Sequence, residues 1–242
     1  MPADTFDPAE SPATPWPLQL ELLELGDNAA AWRAAGFWVS PDKTVQVGGT
    51  TIVCTGKGQP FHGWRIQGLG ASSSAAVQSE VDGLQLLPAA SNNDAVKIQD
   101  VPTAKPDMQP HPNGITRIDH IVVSTGNCSR SINAFTAAGF EVCGSRSTTG
   151  DRSPVRQTFF WAGDVILELI GPDSKNATND SPATIFGLAM VTEDLQRTAE
   201  VLGKLLGAPK NAVQHGRQIA RLRTQTLGIG LHIAVMSPHK PD

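Results

Sequence analysis

The sequence predicts an α+β protein assembled from repeated βαβββ units, and three observations carry that prediction. Apolar and polar residues alternate with period two in short runs, and each group of runs contains one stretch of helical period. Two segments repeat: AWRAAGFWV at 31–39 and AFTAAGFEV at 134–142 share six of nine residues, each at the end of a helical stretch. The composition, 40% hydrophobic and 17% charged over 242 residues, suits one large or two small soluble domains and excludes collagen, coiled-coil and disulfide-miniprotein classes.

Residues 1–17, acidic and proline-rich, read as a lead-in without regular structure. The first unit spans 18–70. LQLELLEL (18–25) is its first strand, 27–35 its helix, and FWVS, TVQVGG, TTIVCTG and GWRIQGL are the strand-like runs that follow. Gly36 stands at the helix exit, where a left-handed turn favours glycine, and Gly139 holds the same place in the second copy. Residues 71–114, punctuated by ASSSAAVQSE and PTAKPDMQPHPNG, read as a linker. The second unit, 115–172, runs through IDHIVVST, a helix over about 127–138 capped by Asn127, then FEVCGS, VRQTFFW and VILELIG. After the polar loop PDSKNATNDSPA comes the third unit, 184–238, with FGLAMVT, the helix EDLQRTAEVLGKLLG, IARLRT and LHIAVMS.

Lys and Arg total 19 against 23 Asp and Glu, a net charge of −4 without the broad cationic field that nucleic acid or an anionic membrane requires. No window approaches the roughly 18 apolar residues of a membrane helix. Cys54, Cys128 and Cys143 are odd in number and lack zinc-site spacing, so they read as small buried hydrophobes in a reducing compartment. With no secretion signal at the N-terminus, the cytoplasmic compartment is the expected location. GxGxxG, P-loop, GxSxG and HExxH patterns are absent, and there is no tyrosine to serve as a general acid.

IDHIVVST, a helix ending AAGF, and RQTFFWAGDVILELIGP together resemble the vicinal oxygen chelate superfamily, the glyoxalase, bleomycin-resistance and dioxygenase fold. The resemblance covers 115–238 directly and 18–70 through the repeat. It implies that two βαβββ units pair into a curled, open-barrel mixed sheet, with helices outside and a small-molecule cleft in the concave face. Three units leave one over. The second and third are expected to form the cleft, and the first to cap them or to pair with its copy in a homodimer. In metal-dependent relatives the ligands come from the first and last strands of each paired unit, and the matching positions are His120, Glu168, Gly187 and Ala234. Two of these four can bind the divalent ion so implied, whether zinc, nickel, manganese or iron.

Strand alternation supports the inward direction of both. His120 shares a face with Val122 and Ser124, and Glu168 lies opposite Leu167 and Leu169. A carboxylate centred in VILELIG is costly to bury unpaired, and His120 would serve as its partner. Two protein ligands hold a cation weakly, and His232, two residues before Ala234 on the same face, is the candidate third. Arg156 and Gln157 are adjacent, so only one enters the cleft; an inward arginine there would suit an anionic or carbonyl-bearing ligand. Trp161 shares the face of Gln157, and the small residues Gly187 and Ala189 would open room for a ligand. Arg217, Arg221 and Arg223 fall on one face of a strand, read first as an ordinary solvated face and second as an approach for an acidic substrate.

Two main functions compete. One is a lyase or isomerase of glyoxalase type acting on a carbonyl-containing small molecule, with His120 and His232 as ligands and Glu168 as ligand or catalytic base. The other is a metal-free, sequestering small-molecule binder whose cleft, with Arg156, Gln157, Trp161 and Gly187, holds a ligand by shape. A third is an assembly role, with the first unit mediating dimerisation; its strand carries Glu21 and Glu24 in place of histidines.

Overall fold

The computed structural model describes residues 18–69, 79–89, 109–148, 154–172 and 180–239. The expected lead-in, most of the expected linker and most of the loop before the third unit lie outside the described residues. The first part holds β1 (Gln19–Leu25), α1 (Ala29–Ala34), β2 (Thr44–Val47), β3 (Thr50–Cys54) and β4 (Phe61–Gln67), then a hairpin of β5 (Glu80–Val81) and β6 (Leu84–Gln85). The second unit follows as β7 (Ile115–Ser124), α2 (Cys128–Ala137), β8 (Val142–Thr148), β9 (Val155–Ala162) and β10 (Val165–Pro172). The third is β11 (Thr184–Thr192), α3 (Leu195–Leu202), β12 (Lys210–Asn211), β13 (Gln218–Arg221), α4 (Thr224–Leu227) and β14 (His232–Met236). Among the described residues no helix is long and apolar enough to cross a membrane.

The second and third units share one eight-stranded sheet in the order β12-β13-β14-β11-β7-β10-β9-β8. The two first strands, β7 and β11, meet antiparallel at its centre, and each has the last strand of its own unit parallel beside it. Alternation sets the faces. Ile121 and Val123 of β7 and Leu167 and Leu169 of β10 are buried towards the main core, while His120 and Glu168 are only partly buried on the other face. Each main helix begins on a side-chain cap: Asn28, Asn127 and Asp194 accept hydrogen bonds from the N–H groups of Ala30, Arg130 and Arg197.

The first unit departs from the expected pattern. FWVS joins no sheet, because its backbone N–H groups are taken up outside any ladder: Phe37 N–H donates to Trp32 O, Trp38 N–H donates to the His111 ring, and Ser40 N–H donates to Thr44 O. GWRIQGL does form β4, but on the opposite flank of β1. The sheet order is β2-β3-β1-β4, with β3 parallel to β1 and β4 antiparallel to it. With one strand fewer after its helix, β3 takes the parallel place that β10 and β14 hold in the later units. β4 then occupies the position beside β1 that β11 occupies beside β7. The free edge of β4 is covered in turn by the chain itself, through the Trp64–Leu86 bridge and Leu87 N–H to Trp64 O.

This first sheet caps the outer side of the large one. A single buried cluster runs from Leu18 to Val235, and Trp64, fully buried, packs edge-on to Phe135 at 6.3 Å and stacks on Phe140 at 6.4 Å. Buried Asp27 ties the two parts with one carboxylate, accepting Trp32 Nε1–H at 3.0 Å and Gly230 N–H at 2.8 Å. Gly36 has φ +79°, and a Cβ there would stand 2.9 Å from that of Asn113, whose side chain donates to Ala35 O. His111 completes the clamp. Trp38 N–H donates to its Nδ1 at 3.0 Å, so the ring proton sits on Nε2 and is given to Gln46 O at 2.9 Å.

That histidine makes the capping acid-sensitive. Burial pushes its pKa down from 6.5, only partly opposed by the Gln46 bond. A depressed histidine contributes stability above its unfolded value and loses it as pH falls through the folded value, since a second ring proton would face Trp38 N–H. Between about pH 7 and 5, the Tm of the wild type should therefore fall more steeply than that of His111→Gln. Parallel Tm profiles would contradict this.

Candidate functional site

Arg146 of β8 and Lys210 of β12 stand on opposite edges of the eight-stranded sheet, yet both line one cavity of about 310 Å³. The sheet therefore curls until its outer strands face each other. The cavity walls are Gln157, Phe159, Ile166 and Glu168 on one side, and Asn211–Gln214, Ile219 and Met236 on the other, with His120 from the central strand. Apolar walls with a few convergent polar groups are the usual make-up of a small-molecule pocket.

The polar groups are organised by an irregularity in β7. Ala189 of β11 faces His120 and the next residue, Met190, faces Ile118, so Asp119 has no partner across the ladder. Such a bulge breaks strict alternation and lets two consecutive side chains meet. His120 Nδ1 lies 2.9 Å from Asp119 Oδ2, and its Nε2 lies 3.5 Å from Glu168 Oε2. The histidine thus bridges two carboxylates. Buried Asp119 also receives Arg217 Nη2 at 3.0 Å, from a guanidinium with no exposed surface that further donates to Ser237 O and Gln214 Oε1.

Burial by itself would raise the Asp119 pKa, but the hydrogen bonds and charges of His120 and Arg217 outweigh it and hold the carboxyl well below the usual carboxylate range. An ionised carboxylate only accepts, so His120 Nδ1 is the donor and Nε2 faces Glu168. Glu168 is oriented from its other side. Gln157 donates through Nε2 to Glu168 Oε1, and accepts through Oε1 from Arg146 Nε. The amide has one allowed orientation, because a guanidinium cannot accept and a carboxylate cannot donate. The result is a continuous relay across four strands and a loop: Arg146, Gln157, Glu168, His120, Asp119, Arg217.

The expected site residues separate accordingly. His120, Glu168 and Gln157 come together in the cleft. His232 does not: Gly187 and His232 are paired across β11 and β14, and the histidine accepts Arg221 Nη2 at 2.9 Å and lies against the Phe186 ring, outside the cavity wall. Arg156 lies on the other face from Gln157 and donates to Ser145 Oγ. Trp161 is buried with Phe159 and Ile166 in a small cluster beside the cavity. Gly187 opens no room, since a Cβ there would stand 2.4 Å from the carbonyl oxygen of His232; glycine is needed for the close approach of the strands.

Arg217, read from sequence with Arg221 and Arg223 as a solvated face, is buried, while the other two are exposed. Asp119, Arg146 and the role of Arg217 were not foreseen. The available signal was an ionisable pair, Asp-His, inside the apolar run IDHIVV, which strict alternation cannot place comfortably on both faces.

The donor set does not fit the divalent ion that the resemblance implies. His120 Nε2 and Glu168 Oε2 are close enough to share an ion, and Asp119 behind Nδ1 is a common orienting partner of a metal-bound histidine. A third donor is lacking: Gly187 and Ala234 carry none, His232 is held by Arg221, and no metal-competent group of three or more His, Cys, Asp or Glu exists among the described residues.

Comparison with known proteins finds no matching family model and no matching curated protein. Solved structures do match. A mutant of 4-hydroxymandelate synthase from Streptomyces coelicolor superposes with a TM-score of 0.55 at 13% identity over 93% of both chains. A fusion of a xylose isomerase-like TIM barrel with 4-hydroxyphenylpyruvate dioxygenase gives 0.52 at 12% identity, over 96% of this chain and 52% of the other. Methylmalonyl-CoA epimerase from Mycobacterium tuberculosis gives 0.40 at 16% identity, over 52% of this chain and 91% of the other. The first two likenesses show that this chain shares the fold of those two proteins.

The buried ion pair behind His120 has a measurable consequence. Arg217→Met leaves Asp119 charged without its cation and should cost about 3–5 kcal/mol in urea unfolding at neutral pH. The depressed Asp119 contributes stability above its unfolded pKa near 3.8 and loses it as pH falls towards the lower folded value, so the gap between wild type and Arg217→Met should narrow in acid. An undiminished gap at about pH 3 would show that lost packing, not the ion pair, causes the cost.

Proposed function

We infer that the cleft between the second and third units receives a carbonyl-containing small molecule and that Glu168 and His120 move a proton on it, the chemistry of a lyase or isomerase. The observation that supports this is the Asp119–His120–Glu168 alignment at the cavity wall. A histidine fixed in one tautomer by a buried carboxylate, with a second carboxylate at its other nitrogen, is a competent acid–base pair.

With Oε1 of Glu168 committed to Gln157, Oε2 is the atom that faces both His120 and a bound molecule. Glu168 would take a proton from the carbon next to the carbonyl, the C–H electron pair passing into an enolate. His120 Nε2 would accept that proton from Glu168 or return it at a second position, with Asp119 stabilising the imidazolium while it exists. Zinc, nickel, manganese or iron would meet two donors here, and no step of this reading passes through the metal.

The test is solvent exchange. In D2O, followed by proton NMR, wild-type protein should wash deuterium into the position next to the carbonyl of at least one member of a panel of short oxo-acids and their methyl esters. Glu168→Gln should lose at least about a hundredfold of that rate, the usual scale of a lost acid–base group. A second reading, sequestration without chemistry, is favoured by the engagement of both Glu168 oxygens within the protein. Retention of a ligand with no exchange in the panel would select it.

Metal content is tested separately. Protein purified without tag or chelator, then dialysed, should retain well under one ion per chain. Stoichiometric metal that disappears in His120→Ala would contradict the two-donor assessment.

A further inference from the structure

We propose that the cleft selects its ligand by a carboxylate, gripped by the guanidinium of Arg146, so that the molecule delivered to Glu168 and His120 is a short-chain oxo-acid. This deepens the acid–base reading above and rests on it for the fate of the ligand, but not for its binding.

Three observations carry it. Arg146 is held from two sides, by the Gln157 carbonyl oxygen at Nε and by the Phe159 ring, whose centroid lies 5.4 Å from its Cζ. Its two Nη nitrogens have no protein acceptor and no acidic partner among the described residues, and the side chain lines the cavity. The buried cation of the site, Arg217, is by contrast neutralised by Asp119. An oriented, uncompensated guanidinium presents two parallel N–H groups that match the two oxygens of a carboxylate.

Lys210, on the facing wall, adds a second cation without an acidic partner among the described residues. Two positive charges flank the single carboxylate that Glu168 brings to the wall, in a chain whose net charge is −4, so the cleft favours anions against the overall sign of the protein. The width of one amide and two hydrogen bonds separates Arg146 Nε from Glu168 Oε1. A ligand anchored by its carboxylate at Arg146 therefore places a carbon a few bonds away above Glu168. The inward arginine expected at position 156 is supplied instead by position 146, paired with Gln157 across β8 and β9.

Binding is measured apart from turnover, on the Glu168→Gln protein, by isothermal titration with 2-oxobutanoate, acetoacetate and levulinate and with the methyl ester of each. At least one acid should bind at least about tenfold more tightly than its uncharged ester, the scale of a charged, forked hydrogen-bond pair. Adding Arg146→Met should remove that preference, and Arg146→Lys should restore only part of it, since it keeps the charge and loses the fork. Both variants lie on a half-exposed edge strand, and an unchanged thermal melt verifies their fold. Equal affinity for acid and ester, persistence of the preference in Arg146→Met, or no binding by any acid overturns the proposal. Arg146-dependent binding of the acids with no deuterium exchange in wild type would overturn the acid–base reading instead and leave this one standing.

Discussion

Everything in the cleft depends on one buried charge pair. Asp119 remains ionised inside the protein because His120 bonds one of its oxygens and Arg217, itself fully buried, faces it at 3.0 Å. That carboxylate sets the proton on His120 Nδ1, which turns Nε2 towards Glu168. Arg217 simultaneously holds Gln214 and the carbonyl of Ser237, so the loop forming one cavity wall and the end of the last strand are tied to the residue that orients the histidine. Burying such a pair is costly unless its geometry is nearly complete, and here both oxygens of Asp119 and three nitrogens of Arg217 are engaged.

The first unit serves this arrangement from outside. Its truncated sheet buries Trp64 against Phe135 and Phe140 on the helix side of the large sheet, and Asp27 reaches across to the backbone before β14. The concave side is left open to solvent. A fold that curls one sheet around a cavity needs its convex side covered, and a partial copy of the same unit provides that cover.

Much of the architecture was legible in residues. The AAGF repeat marked the helix exits, Asn127 announced its cap, and period-two alternation assigned His120 and Glu168 to the open face. Alternation failed where the strand is irregular. It could not foresee the bulge at Asp119, because a bulge is decided by the register of β11 against β7, two strands whose paired residues lie about 70 positions apart in the chain. Nor could it tell Arg217 from Arg221. The two occupy equivalent positions in a periodic run, and only the packing of the loop over Asp119 buries one and exposes the other.

By itself the sequence determined the main strands and helices of the second and third units and which of their faces are apolar, since those follow from local periodicity and capping, but not the short β12 and α4. Tertiary structure alone decided the rest. The flank of β1 that receives β4, the exclusion of His232 from the cleft, and the joining of Arg146, Gln157, Glu168, His120, Asp119 and Arg217 into one relay all depend on contacts between residues far apart in the chain. Local pattern carries no information about which distant strand will lie alongside, and in a curled sheet that choice determines which side chains meet.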